Sequence, residues 1–232
     1  MNASSKPYDL NFVAAILGLS LAPTETVRNL LRAKKYHFAP LMLALLTGTV
    51  FLPLIVRYYT ASQFLYKLEV LKSFVLATVI SFLLFIFLEA LFLRALGVKP
   101  GMPDLVSVIC FSLGPVTTLV LIIYLLNIWA SGTTDYLTFF LSGHAALSSF
   151  CITFAFWAKV VCFILSALVF MYGLKYCGED MYTINAMIIT IFSVIPLYCA
   201  FFLGVVIADI ILPGTTNIYR QLITTPTYLL NV

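Results

Sequence analysis

Apolar runs of about 20 residues recur along this chain, and no other feature constrains its fold as strongly. One of them contains VLATVISFLLFIFL, residues 75 to 88, without a single charge. A helix needs about 20 such residues to cross roughly 30 Å of hydrocarbon. The sequence predicts five spans, near Phe38–Val56, Phe74–Leu96, Asp104–Leu126, Trp157–Lys175 and Asn185–Leu212. Composition agrees with lipid as the main solvent. Hydrophobic residues make up 62% and charged residues 9%, whereas a soluble domain carries roughly a quarter charged residues. The expected fold is all-α, a polytopic transmembrane helical bundle. It divides into an N-terminal segment 1–37, a membrane domain 38–212 and a C-terminal tail 213–232.

Between the third and fourth spans lies a further apolar stretch, Tyr136–Phe156, broken by Ser142, Gly143 and His144. It reads as a sixth, re-entrant or interfacial segment, or as the start of a long fourth span. Before the first span, residues 10 to 22 resemble a signal-peptide core ending in Ser20-Leu21-Ala22, but Pro23 would block cleavage there. At about a dozen residues this segment is too short to span. It is expected to lie in the interface or to fold back on the bundle.

Pro23 then opens a helix with Glu25 in its first turn, near the positive end of the helix dipole. Val27, Leu30 and Leu31 share one face, and Arg28, Arg32 and Lys35 another. This is the pattern of an interfacial amphipathic helix. The cluster Arg28, Arg32, Lys34, Lys35 is the densest positive charge in the chain. It reads either as a topology signal or as an anionic-lipid site. With the N-terminus inside, the inner segments hold Lys6, Arg28, Arg32, Lys34, Lys35, Arg94, Lys99 and Lys175. The outer ones hold Arg57, Lys67, Lys72 and Arg220. That excess favours N-in, C-out.

Two helices share a local pattern, FSLGP at 111–115 and FSVIP at 192–196. Each proline, Pro115 and Pro196, removes a backbone hydrogen bond mid-span and kinks its helix. The pattern marks either a tandem repeat of two hairpins or a coincidence of common residues.

The stretch SGHAALSSF, 142 to 150, matches one of three motifs of membrane lipid phosphatases. The others are missing: no Arg-Pro occurs, and the second histidine, His37, precedes the first span. Without a nucleophile or a phosphate clamp, one acid cannot run covalent phosphoryl transfer. His144 with Ser148 one turn away is read as an incidental pair at the interface. The cysteines at 110, 151, 162, 177 and 199 show no disulfide or metal spacing and count as small hydrophobes. No metal, cofactor or nucleic-acid partner is expected.

Ionisable groups inside spans are costly and are functional candidates by default. Lys159 and Asp209 fall at similar depth towards the outer face and form a candidate intramembrane pair; Lys159 snorkelling and Asp209 hydrated is the plainer reading. Glu89 is a candidate intramembrane acid, with Arg94, Lys175 or a water-filled crevice as its expected partner.

Three segments resemble the Yip domain family, the Ypt/Rab-interacting membrane proteins. They are AAILGLSLAPTETVRNLLRAKKYHFAPLMLALL from residue 14, VICFSLGPVTTLVLII, and FMYGLKYCGEDMYTINAMIITIF. The resemblance implies a five-span bundle with a cytosolic N-terminus and no enzymatic activity. Eukaryotic relatives associate with one another and with Rab GTPases, but the short segment before the first span makes GTPase binding doubtful and points to a bacterial-type member. The expected function is a scaffold or adaptor that binds membrane lipids, other integral membrane proteins or itself. The alternative is a transporter or channel subunit using the intramembrane charges. The expected location is a bacterial inner membrane, or alternatively an ER or Golgi membrane.

Overall fold

The computed structural model describes residues 11–59, 64–119, 121–122, 149–177 and 181–224, and leaves aside the side chains of 49–59, 64–70, 149–156, 159, 219 and 221–224. The motif at 142–148, the stretch 136–148 and the tail beyond residue 224 therefore lie outside the described residues. Among the described residues the fold is all-helical, without a strand.

The elements are α1 (Phe12–Leu21), α2 (Pro23–Arg32), α3 (Phe38–Tyr59), α4 (Phe64–Ala95), α5 (Met102–Ser112), α6 (Ser149–Cys177), α7 (Thr183–Phe192), α8 (Val194–Ile211) and α9 (Thr215–Thr224). Four stretches are long and apolar enough to cross a membrane: Leu71–Ala95, Met102–Leu119, Val160–Cys177 and Thr183–Ile211. This is an integral, multi-pass membrane architecture. The tail expected from 213 onward carries a helix of its own, α9.

Two of the spans are broken near their prolines. Helix α5 ends at Ser112 and the chain is helical again over 114–119, around Pro115. Helix α7 ends at Phe192, and α8 begins at Val194, just before Pro196. A proline donates nothing to the carbonyl four residues back and its ring crowds that carbonyl. The turn before each proline is where the helix yields. The ladder then resumes, from Thr117 to Leu113 at 2.8 Å and from Leu197 to Ser193 at 3.2 Å.

The chain separates into two packed units. The first comprises Met1–Thr47, Leu93–Ile122 and Ala158–Phe192. Within it, Asn11 caps α1 by accepting from the Ala14 amide at 2.7 Å. Ten residues of α1 reach only about 15 Å, and the helix packs on the helical segment 114–119. Leu19 packs against Gly114, and the Ser20 hydroxyl donates to Thr118 Oγ1 at 3.0 Å. Helix α2 buries Val27, Leu30 and Leu31 and packs on α1 and α5. Tyr36 Oη donates to Asp104 Oδ1 at 2.6 Å, tying the loop after α2 to the first turn of α5. That hydrogen bond, with burial and the Asp104 charge, holds the Tyr36 phenol above its ordinary pKa. Helices α5 and α6 meet where Val108 lies directly on Gly173.

Helix α2 ends in a turn where the Lys35 amide reaches the Leu30 carbonyl and the Lys34 amide reaches Leu31, both at 3.0 Å. Lys34 takes φ +50° there. The same turn after α4 uses Gly97 at φ +81°, with Val98 bonded to Leu93. Left-handed backbone costs a residue with a Cβ about 1 kcal/mol that glycine avoids. Lys34→Gly is therefore expected to stabilise the folded chain by about 1 kcal/mol. Thermal unfolding in detergent measures it, and an unchanged or lowered midpoint would refute this account of the turn.

The second unit comprises Gly48–Phe92, Ile123–Trp157 and Ser193–Val232. Its described core is the pairing of α4 with α8. Ala77 packs with Val205 and Ala208, flanked by Phe74, Leu76 and Ile80. Further along the same pair, Ser81 lies against Gly204 so closely that a Cβ at 204 would fall 2.8 Å from both the Ser81 amide nitrogen and Cα. Inward positions follow a four-residue spacing. On α4 they include Ser73, Ala77 and Glu89; on α8 they are Pro196, Ala200, Gly204 and Ala208, all buried. Small residues at this spacing let two backbones approach in lipid, where hydrophobicity alone drives nothing together. The opposite ridge of α4 is bulky and exposed: Val75, Val79, Leu83, Phe87 and Leu91.

Candidate functional site

Among the described residues, Glu89 is the predicted charged site residue that the fold buries completely, at 0% exposure. It sits on the inward ridge of α4 and meets Ser193, itself 5% exposed, in the second unit. The Ser193 hydroxyl donates to Glu89 Oε1 at 2.7 Å. The other carboxyl oxygen, Oε2, is buried and has no hydrogen-bond partner. Of the residues named with it, Arg94 is exposed, and Lys175 donates to Thr183 Oγ1 at 2.7 Å. A single hydroxyl is little compensation for an acid in a span, where a carboxylate costs about 2.5–3.5 kcal/mol at mid-bilayer.

Ser193 owes its availability to the break ahead of Pro196. It occupies the residue between α7 and α8, where the helix is interrupted. The equivalent serine of the other pattern, Ser112, folds back on the Ile109 carbonyl at 2.6 Å. Both patterns contain a break, and in the second the serine at the break reaches Glu89. An acid beside a broken mid-span helix is an arrangement that can hold a charged species away from water.

Asp209 turns to its own chain. Its Oδ1 accepts from the Gly214 amide at 3.0 Å and the Thr216 amide at 2.8 Å, joining the last turn of α8 to the start of α9. A carboxylate on two amides at a helix N-terminus satisfies donors that the helix cannot. The Lys159 side chain lies outside the described residues. Asp209→Ala is expected to release α9, speeding hydrogen exchange at Gly214 and Thr216, while Asp209→Asn keeps most of the protection. Equal exchange in wild type and the alanine variant would count against the cap.

The basic cluster is split by burial. Arg32 and Lys34 are exposed, whereas Arg28 and Lys35 are half-buried. Arg28 Nε is buried without a partner, which departs from the fully polar face expected of it. The stem of Arg28 packs into the first unit because α2 rests on α1 and α5 rather than standing alone. Lys35 Nζ lies 5.7 Å from the Phe38 ring centroid.

The partnership of Glu89 with Ser193 was not evident from sequence reasoning, although both halves stood out separately: an acid in a span, and a serine three residues before a mid-span proline. Nor were Gly173 and Gly204 singled out; for Gly204 the legible signal was the four-residue spacing of Ala200, Gly204 and Ala208. Among the described residues no group of three His, Cys, Asp or Glu side chains could hold a metal ion, and Cys110, Cys162, Cys177 and Cys199 are free thiols. Comparison with protein-family models, curated proteins and solved structures finds no match to this chain.

Proposed function

We propose that this protein is a non-enzymatic integral membrane scaffold or adaptor, which binds other membrane proteins, lipids or further copies of itself. One observation carries the reading. Helices α4 and α8 turn small and polar residues to each other and send large apolar side chains outward, among them Leu83, Phe87, Tyr198 and Phe202. Such a pair needs no further helix for its own packing and offers a wide apolar surface to whatever lies beside it. The Yip-like segment order supports the same reading.

In this proposal α3, whose 22 helical residues reach about 33 Å, is a fifth span. The N-terminus is cytoplasmic, α2 lies at the interface with Arg32 and Lys34 towards anionic headgroups, and the membrane is a bacterial inner membrane. Cross-linking in native membranes followed by mass spectrometry tests the function. A stoichiometric set of membrane partners or a defined self-assembly is expected; recovery of the uncross-linked monomer alone would refute it.

The second reading, a transporter or channel subunit, is favoured by the buried Glu89 carboxyl with its open oxygen. Flux through proteoliposomes that Glu89→Gln leaves unchanged would remove it.

A further inference from the structure

We infer that Glu89 and Ser193 form a binding site for one small monovalent cation, a proton or Na⁺, inside the membrane-spanning region. Three observations converge. Glu89 is fully buried, and its hydrogen bond comes from a neutral hydroxyl. Its second oxygen is buried with a free lone pair, so the acid has an open coordination position. Ser193, which makes that hydrogen bond, occupies the interruption between α7 and α8 ahead of Pro196. The acid therefore presents one buried, unpartnered oxygen beside a hydrogen-bonded one. Interrupted helices beside an acid are a recurrent way of holding coupling ions in membranes.

Among the described residues of the second unit, the other charged side chains are Lys72, Asp209 and Arg220, and Arg220 is exposed. On α4 itself Arg94 and Lys72 are exposed. On α8, Tyr198 and Cys199 are exposed and so turned away from the seam, and Asp209 is held by the Gly214 and Thr216 amides. A monovalent ion fits better than a divalent one, since one carboxylate supplies one negative charge. The inference holds for a scaffold whose assembly senses the ion as well as for a transporter, because occupancy is a property of the site and not of flux.

Infrared difference spectroscopy of the full chain in lipid nanodiscs tests it. Spectra are recorded on exchange between acidic and alkaline buffer, and between choline and Na⁺ at fixed pH. A proton site gives a protonated-carboxyl band that comes and goes with pH; a Na⁺ site gives a carboxylate-stretch shift when Na⁺ replaces choline. Either change should be lost in Glu89→Gln and shifted in Ser193→Ala, which keeps the acid and removes its hydrogen bond. A wild-type spectrum matched by Glu89→Gln in both exchanges would overturn the site. So would a Glu89 band that Ser193→Ala leaves in place.

Discussion

Gly204→Leu lowers the stability of the folded chain by about 3 kcal/mol, the upper end of what overpacking costs. Leucine is the better helix former by somewhat under about 1 kcal/mol, so an isolated helix would gain. The loss comes from the seam. A Cβ at 204 meets the backbone of Ser81, at 2.8 Å from both its amide nitrogen and its Cα, and no rotamer change relieves a backbone contact. Helices α4 and α8 have to separate, which also draws Ser193 from Glu89. Trimming the neighbour is therefore no remedy: Ser81→Gly in the Gly204→Leu background restores little. Unfolding by SDS titration in mixed micelles reads the change. A stable Gly204→Leu variant, or full rescue by Ser81→Gly, would refute the close approach.

Gly173→Ala, in the first unit, is expected to behave differently although the added methyl is equally crowded. Its Cβ would lie 2.8 Å from Cγ2 and 3.1 Å from Cβ of Val108, and nearer still to Cγ1. These are side-chain atoms, and Val108 is fully buried and stiff at χ1, so it cannot swing aside. The single substitution costs about 1–3 kcal/mol. Val108→Ala alone costs about 1.5 kcal/mol for the lost methyl groups, yet it vacates the space. In the double variant the methyl added by Gly173→Ala is freed from both Cγ atoms and keeps only the 3.1 Å approach to Cβ, giving a favourable coupling of about 1–2 kcal/mol in a double-mutant cycle. Additive losses would mean that α5 and α6 do not meet through these two residues.

These two glycines mark where sequence reading stopped. The stretches 71–95, 160–177 and 183–211 fall within a few residues of where apolar runs predict spans, and 102–119 begins two residues before the predicted third span. The interruptions near Pro115 and Pro196 fall where a missing amide predicts them. Helix α2 and its buried Val27, Leu30 and Leu31 follow from their spacing, because α2 is polar enough for hydropathy to distinguish its faces. The candidate site was legible only by halves. Glu89 stood out as an acid among apolar residues, but the residue facing it depends on how α4 is rotated and in what register it meets α8. Asp209 likewise stood out by charge, and its amide partners arise from the turn at Gly214 that follows it.

What the sequence determined by itself is the solvent of this protein: long uncharged runs cannot be folded into water, and helices satisfy their backbone within each segment in lipid. Which face of each membrane-spanning helix turns inward was decided only by tertiary structure. In a soluble helix polarity separates the two faces, but both faces of α4 are apolar, with Ala77 inward and Val79 and Leu83 outward. What sorts them is size, since backbones approach only where side chains are small, and size acts only when a second helix is present to fit against.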